Sequence, residues 1–386
     1  MKIFSVLVLV VVLLSAGCGI PHTEIVHTDV GERQSELTSS EELLPTAETS
    51  LTTIQITTTT STEVSTDTTP EATQTTTTQP ADATTQPPAE TSQTGSVATT
   101  HGTDRNETSE TDYSVTRKRD VLVLMLAYPD YIDGAEMTDD KVYLVMKSGN
   151  RILYDDNKEK TFDEKIINAD LQDMLEMRYP LTEINTIMNT NVDPGRIRSY
   201  SLFNEIYGQT QSSIVDKLIT VDFGNERLPF NKEASAADAL TAAGAGVSDL
   251  IQSQPSVAGF VFPTSGTFNY RVIAGTDRLS PHAYGIAIDL KSSSNGYWRW
   301  TSFAEGEKLI NIYPHDLVRL FERNGFIWGG KWNHFDIFHF EYRPEIIIKA
   351  RYFSEEIDLT KPWYQGVDSD SESVSRFIEQ IDERLG

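Results

Sequence analysis

The pattern of hydrophobic and polar positions changes abruptly near residue 117. From residue 19 to residue 116 the chain is dominated by Thr, Ser, Pro, Gln and Glu, and its few apolar residues recur at neither helical nor strand spacing. Such a segment cannot bury enough apolar surface to offset the entropy lost on folding, so we expect a disordered linker. Beyond it, about 270 residues remain, which is enough for one large domain or two small ones with a full core.

Within the folded part, the spacing of apolar residues predicts strands and helices. Residues 120–126 and 141–146 are rich in Val, Leu and Tyr and predict strands, whereas residues 162–177 predict a helix. The Ala-rich residues 234–251 favour a helix, and residues 214–221 fit a helix or a pair of strands. Residues 117–211 show no cluster of metal-ligand residues, and we expect them to form a subdomain that supports a site formed elsewhere and shapes one wall of its cleft.

Two further helices are predicted nearer the C-terminus. Pro314 suits a first helical position, residues 317–321 carry an apolar stripe, and Gly325 suits the stop. From Val374 to Leu385 apolar residues again recur at helical spacing. We expect this last helix to dock on the core; a helix that binds a partner is the alternative.

Two segments combine this patterning with residues that can carry chemistry. In residues 280–289, Ile286 and Ile288 alternate with small residues and Asp289, which predicts a strand with one apolar face and Asp289 on the other. His282 precedes that strand, where a turn at Pro281 would fold its imidazole back toward Asp289.

The second segment, residues 328–341, supplies His339 from a short aromatic strand. Two imidazoles and one carboxylate leave a fourth metal position open, which is typical of a catalytic rather than a structural zinc. We place Asp336 in the loop before the strand, where it can serve as general base and then general acid. Glu341 shares a face with His339 and is interpreted as the residue that holds its ring.

These segments resemble a known family, the bacterial zinc D-alanyl-D-alanine carboxypeptidases and L-alanyl-D-glutamate endopeptidases of the VanY and phage-endolysin type. The resemblance rests on S-x-H-x-x-G-x-A-x-D from Ser280 to Asp289 and on D-x-x-H-F-E from Asp336 to Glu341. The motif G-F-x-W-G-G-x-W runs from Gly325 to Trp332, and the resemblance covers roughly residues 212–352.

The resemblance implies a zinc ion held by His282, Asp289 and His339, with Asp336 as the catalytic carboxylate. The family also uses an upstream arginine, for which Arg271 is the first candidate and Arg278 the second. It further implies that the substrate is a peptidoglycan stem peptide. We expect removal of a terminal D-Ala; cleavage between L-Ala and D-Glu, or a non-hydrolytic zinc-containing module that binds the cell wall, are the alternatives.

The N-terminus predicts secretion. Lys2 precedes an apolar run, residues 3–14, that is too short to span a bilayer, and small residues then lead to Cys18, the only cysteine of the chain. We expect a bacterial lipoprotein signal with lipid attachment at Cys18; an ordinary cleaved signal with a chance cysteine is the alternative. The linker would then be a tether, or simply a solubilising spacer, and the protein would be extracytoplasmic and anchored to the cell membrane.

Together these features predict an α+β fold, in which a small antiparallel sheet carries the zinc site and is flanked by helices. The predicted divisions are a signal peptide at 1–18, a linker at 19–116, an N-terminal α+β subdomain at 117–211, a zinc peptidase domain at 212–352 and a C-terminal tail with a helix at 353–386. We expect a monomer. Beyond residue 116 the chain carries 41 acidic and 29 basic residues with no basic stripe, which argues against nucleic-acid binding.

Five side chains near these motifs keep two interpretations each. Arg196 and Arg198 either contact an anionic peptide or lie in a solvated turn. His334 either contacts the substrate or plays no part in the site. Trp332, like Trp328, either braces the core or lines the cleft.

Overall fold

The computed structural model describes residues 104–273 and 275–386. The predicted signal peptide, Cys18 and the linker up to residue 103 lie outside the described residues. In the described part, helices and small antiparallel sheets form the α+β fold that the sequence predicts. None of the helices in this part combines the length and the apolar content needed to cross a bilayer.

The strands of the described chain form three antiparallel sheets. The first has the order β1-β2-β3, the second is the hairpin β4-β5, and the third has the order β6-β8-β7. Their bounds are β1 Ile132–Thr138, β2 Lys141–Met146, β3 Arg151–Leu153, β4 Leu218–Phe223, β5 Glu226–Asn231, β6 Ala287–Asp289, β7 Phe326–Trp328 and β8 His339–Tyr342.

Helices surround these sheets. Their bounds are α1 Asp104–Ala127, α2 Phe162–Ile167, α3 Leu171–Leu175, α4 Tyr200–Tyr207, α5 Gln211–Val215, α6 Ala236–Ser253, α7 Ala258–Val261, α8 Pro281–Tyr284, α9 Phe303–Ile312, α10 His315–Arg323, α11 Pro344–Tyr352 and α12 Glu372–Leu385. Short 3₁₀ turns cover Glu233–Ser235, Pro255–Val257 and Gly329–Lys331.

The strand predicted at residues 120–126 is wrong, because these residues form the last turns of α1. Val121 to Met125 are all buried, so the helix is covered on every side at this point. A continuous apolar run of this length has no periodicity that separates a buried strand from a buried helix. Helix α1 also crosses the linker boundary predicted at residue 116, and that boundary remains a prediction.

The single helix predicted at residues 162–177 is two short helices, α2 and α3. The chain leaves helical geometry at Asn168, and Asp170 then caps α3 by accepting from the backbone N–H of Asp173. Asp and Asn side chains compete for backbone groups in this way, which favours caps over helix interiors. The predicted C-terminal helix is confirmed as α12, which docks on α1 and β1 through Val374, Ile378, Ile381 and Leu385.

The third sheet lies against an aromatic part of the core. Phe321 of α10 stacks on Phe340 of β8 with ring centroids 4.2 Å apart, and Tyr313 stacks on Trp328 at 5.2 Å. Helix α10 packs on β7 and on α6, which carries the core toward the hairpin β4-β5. The apolar face of the sheet is therefore fixed from behind, and its other face is free to carry a site.

A buried ion pair connects α10 to the turn after β7. Lys331 donates from Nζ to Glu322 Oε1 at 2.6 Å and to the carbonyl of Pro180 at 2.7 Å, while the hydroxyl of Tyr179 donates to the same carboxylate at 2.7 Å. Both charged side chains are at most 5% exposed. Because neither can reach water, removing one partner leaves the other charge uncompensated.

We expect Lys331→Met to lower the free energy of unfolding by about 3–5 kcal/mol, because the buried carboxylate of Glu322 loses its cation. Lys308→Met, which removes an exposed lysine of α9, is the matched control and should change stability by less than about 0.5 kcal/mol. Urea unfolding of both variants measures the difference. Equal stabilities for the two variants would contradict the prediction.

Candidate metal centre

The pairing of β6 with β8 places two of the predicted ligands side by side. In this antiparallel pair Asp289 lies directly opposite His339. Residues opposite each other in such a pair have Cβ atoms about 4.5–5.5 Å apart, close enough for their side chains to meet. The sheet register alone therefore joins residues 50 positions apart in the sequence.

The third predicted ligand, His282, comes from the short helix α8 rather than from a simple turn. The hydroxyl of Ser280 caps this helix by accepting from the N–H of His282 at 3.3 Å, and Pro281 occupies its first position. Gly285 ends the helix with φ of 70°, a conformation that suits glycine, and β6 begins two residues later. This compact reversal places His282 over the end of β6.

A backbone carbonyl fixes the ring of His282. Its Nδ1–H donates to the carbonyl oxygen of Thr267 at 2.6 Å. The proton is therefore on Nδ1, and Nε2 presents a lone pair on the opposite side of the ring. This contact was not predicted, since a carbonyl acceptor leaves no side-chain signal in the sequence.

The three donor atoms form a nearly regular triangle. Nε2 of His282 lies 3.2 Å from Nδ1 of His339 and 3.2 Å from Oδ1 of Asp289, and the third side, from Nδ1 of His339 to Oδ1 of Asp289, is 2.9 Å. Ligands about 2.0–2.1 Å from a tetrahedral zinc ion would be about 3.3–3.4 Å apart. The donor set and its spacing therefore fit a metal ion, and these residues could hold one.

The charges of this triangle favour a cation at its centre. Burial raises the pKa of Asp289, but the two histidines outweigh burial and hold it well below its usual range. Burial lowers the pKa of His339, but its contacts with Asp289 and Glu341 outweigh that effect and raise the pKa to about 10. Without a metal, a proton on His339 supplies the positive charge that the site requires.

Glu341 lies behind His339 but is held mainly by an arginine. Its carboxylate accepts from Nε of Arg198 at 2.8 Å and from Nη2 at 2.5 Å, whereas Nε2 of His339 is 3.7 Å away. That separation is too long for a direct hydrogen bond, so Glu341 acts on His339 through charge. Arg198 is only 6% exposed, and the solvated-turn interpretation of it is wrong.

Asp336 lies in the loop directly before β8, as predicted. Its backbone N–H donates to Gly329 at 3.0 Å and its carbonyl accepts from His339 at 3.2 Å, which fixes it beside the triangle. Burial, supported by the charge of Asp289 and opposed by the histidines, raises the pKa of the Asp336 carboxyl to about 6. A carboxyl with this pKa can both take up and release a proton near neutral pH.

The triangle and Asp336 line one wall of a cleft of about 420 Å³. Other predicted residues that line it are Arg271, Ser280, Trp332 and His334. Arg271 is exposed, and its hydrogen bond within the described residues is a 3.5 Å contact with the neighbouring carbonyl of Val272. Arg278 does not line this cleft and donates to the carbonyl of Ile166, which makes it the weaker candidate.

The two tryptophans of the glycine-rich segment differ in position. Trp328 is fully buried and braces the core. Trp332 lines the cleft, its indole N–H donates to the carbonyl of Pro194 at 2.8 Å, and its ring lies 5.7 Å from that of His339.

Part of the chain matches a known family of proteins. No curated protein and no solved structure shows a significant match. Residues 274–342, which include His282, Asp289, Asp336 and His339, match the model of the peptidase family described as D-alanyl-D-alanine carboxypeptidase.

Proposed function

We propose that this protein is a zinc-dependent D-alanyl-D-alanine carboxypeptidase that acts on peptidoglycan stem peptides. The observation that carries the proposal is the triangle of His282, Asp289 and His339 with the half-buried carboxyl of Asp336 in the same cleft. The match of residues 274–342 to the carboxypeptidase family supports the peptidase activity and its substrate class.

Zinc held by the triangle would supply Lewis-acid activation of the attacking water and of the scissile carbonyl. Asp336 takes the proton of that water and then passes it to the leaving amine, so it acts first as a base and then as an acid. Arg271, whose exposed guanidinium lines the same cleft, would stabilise the negative charge that develops on the carbonyl oxygen. Thr267 keeps His282 in the tautomer that leaves its Nε2 free for the metal.

The position of Asp336 favours hydrolysis over mere binding, because a carboxyl that lines the same cleft as the triangle can take the proton of an attacking water. The endopeptidase alternative uses the same residues on a different bond of the same polymer, and the products of hydrolysis distinguish the two activities.

We further propose that the protein is a lipid-anchored, extracytoplasmic monomer. Cys18 would carry the lipid, and the predicted linker, residues 19–116, would serve as the tether between the membrane and the peptidase. The location suits the substrate, because stem peptides are part of the cell wall.

Asp336→Asn should lower the turnover of stem peptides by about 10²–10⁴-fold, because the amide cannot accept the proton of water. Bound zinc should remain at one ion per chain, since the ligands are intact. Mass spectrometry of products from purified muropeptides, with metal analysis of the same samples, makes both measurements. Asp316→Asn on the exposed face of α10 is the control and should retain full activity.

The products also select the activity. Loss of one alanine supports the carboxypeptidase, and a split after L-Ala supports the endopeptidase instead. Unchanged muropeptides with the zinc-loaded wild-type protein, or undiminished turnover by Asp336→Asn, would refute the proposed mechanism.

Zinc affinity should rise with pH. The pKa of His339 is raised from 6.5 to about 10 in the metal-free site, so the ring is protonated at pH 7 and must lose that proton before it can bind zinc. Between pH 7 and pH 9 the affinity should therefore rise by about tenfold per pH unit, with about one proton released per zinc bound.

Calorimetric titrations in buffers of different ionisation enthalpy measure both the proton release and the affinity. The protonated ring stabilises the metal-free fold fully below about pH 6.5, and that contribution is lost as the pH rises through about 10. A zinc affinity that is constant from pH 7 to pH 9 would show that His339 is neutral before zinc binds.

Cys18→Ala should release the protein from membranes, because the thiol that carries the proposed lipid is removed. Fractionation of cells that produce the wild-type protein or the variant, followed by detection of the protein in both fractions, measures the distribution. A wild-type protein found free of membranes would instead support an ordinary cleaved signal.

A further inference from the structure

One wall of the cleft comes from a segment that lies outside the family match. Residues 193–198 contact the third sheet and the loop between its strands β7 and β8 at several points. The carbonyl of Pro194 accepts from the indole of Trp332, the carbonyl of Gly195 accepts from Arg343, and Arg198 pairs with Glu341. The segment is therefore fixed in place, and it brings Arg196 to the same cleft as the metal triangle.

Asp193 holds two side chains of this wall, those of Arg196 and His334. It is fully buried and accepts three hydrogen bonds, from the backbone N–H of His334 at 2.9 Å, from Nδ1–H of His334 at 2.6 Å and from Nη1 of Arg196 at 2.9 Å. Hydrogen bonds to a buried carboxylate are among the stronger ones in proteins. Arg196 and His334 are therefore held next to each other with fixed orientations.

Arg196 is only partly satisfied by Asp193. One of its five N–H groups is used in that bond, and among residues 104–273 and 275–386 no other hydrogen bond to its guanidinium is present. Its side chain is 23% exposed and lines the cleft. Burial lowers the pKa of Arg196, and repulsion from Arg198 lowers it further against the opposing effect of Asp193. An anion in the cleft would relieve both effects.

The other two arginines that line the cleft differ from Arg196 in burial and in hydrogen bonding. Arg198 is buried and its fork is occupied by Glu341, so it has little capacity for a ligand. Arg271 is exposed and only weakly held by its 3.5 Å contact with Val272, so its position in the cleft is not fixed by partners among the described residues. Arg196 combines a fixed position with free donors, which is what a binding subsite requires.

His334 adds a second donor or acceptor at the same place. Its ring stacks on that of Phe162, with ring centroids 5.6 Å apart, and packs in a T-shaped arrangement against that of Trp298, with ring centroids 4.5 Å apart. Because Nδ1 is bound to Asp193, Nε2 is the ring nitrogen left for a ligand. The signal for this arrangement in the sequence is weak, since Asp193 and His334 are far apart in the chain.

We propose that Arg196, fixed by Asp193 and flanked by His334, binds a carboxylate of the peptide substrate. The planar guanidinium fork matches a carboxylate, and the partly dry wall strengthens the interaction. The inference rests on the proposed function for the identity of the substrate as a peptide. The carboxylate has two possible sources, the C-terminus of the peptide or the free carboxyl of its glutamyl residue.

The test measures binding without hydrolysis. Zinc-loaded Asp336→Asn protein is titrated with a blocked tripeptide, acetyl-L-Lys-D-Ala-D-Ala, as the free acid and as the C-terminal amide. A second pair of peptides has the same free C-terminus and carries either D-Glu or D-Gln at the glutamyl position. Each titration is repeated with double variants that carry Arg196→Gln, Arg196→Lys or Arg299→Gln in addition to Asp336→Asn. Arg299→Gln is the control, because Arg299 is exposed and does not line the cleft.

We expect the acid to bind about tenfold or more tightly than its neutral counterpart in one of the two pairs, and that pair identifies the source of the carboxylate. Arg196→Gln should reduce the preference to within about twofold, and Arg196→Lys should retain part of it, because lysine keeps the charge but loses the fork. Arg299→Gln should retain all of it. If Arg196→Gln does not fold, Arg196→Lys decides alone, with an expected loss of about fivefold in preference.

The inference is overturned if the variants of Arg196 keep the full preference for the acid, or if neither pair shows a preference. Its failure is distinct from failure of the proposed function, because hydrolysis is measured separately on protein with Asp336 intact. Acid preference that depends on Arg196 in a protein that hydrolyses no muropeptide would leave the subsite standing and remove the enzymatic proposal.

Discussion

The register between β6 and β8 is the constraint on which the site depends. It places Asp289 opposite His339, and α8 then needs only to bring His282 over the end of the same strand. A shift of one residue would turn one of the two side chains to the opposite face, where Phe321 and Phe340 pack. The aromatic core behind the sheet therefore enforces the geometry of the metal triangle, because its apolar residues have no other place to be buried.

Beneath the triangle lies a layer of buried charge that connects distant parts of the chain. Glu341 is paired with Arg198, and Arg343 contacts both Glu341 and Glu345. Tyr128, the residue that follows α1, donates from its hydroxyl to Glu345. Taking these groups from water is costly, and such pairs add little net stability compared with an apolar core. These ion pairs instead fix the positions of the segments that they connect. The segments before residue 212, predicted to form a supporting subdomain, supply Arg198 to the site and Arg196 to the cleft.

The sequence predicted the α+β fold and which three candidate ligands come together, but it misassigned parts of the surrounding secondary structure, for physical reasons. His282, Asp289 and His339 lie in short segments whose spacing and flanking glycines indicate one geometry, and the structure brings them together. Residues 120–126, by contrast, form an unbroken apolar run whose secondary structure is decided by the surrounding core. The break at Asn168 was missed because the helical apolar spacing continues across it, while the cap at Asp170 overrides that spacing.

The contacts that could not be predicted are those in which a charged side chain is paired with a residue that is distant in the sequence. Arg196 and Arg198 are two residues apart and share the same local sequence. In the described part of the chain, the guanidinium of Arg198 is occupied by Glu341, whereas that of Arg196 keeps free donors toward the cleft. The difference arises from the strand β8, which presents Glu341 to Arg198 from more than 140 positions away. Long-range packing thus assigns Arg198 to hold Glu341 behind His339 and leaves Arg196 facing the cleft, and no local pattern distinguishes the two.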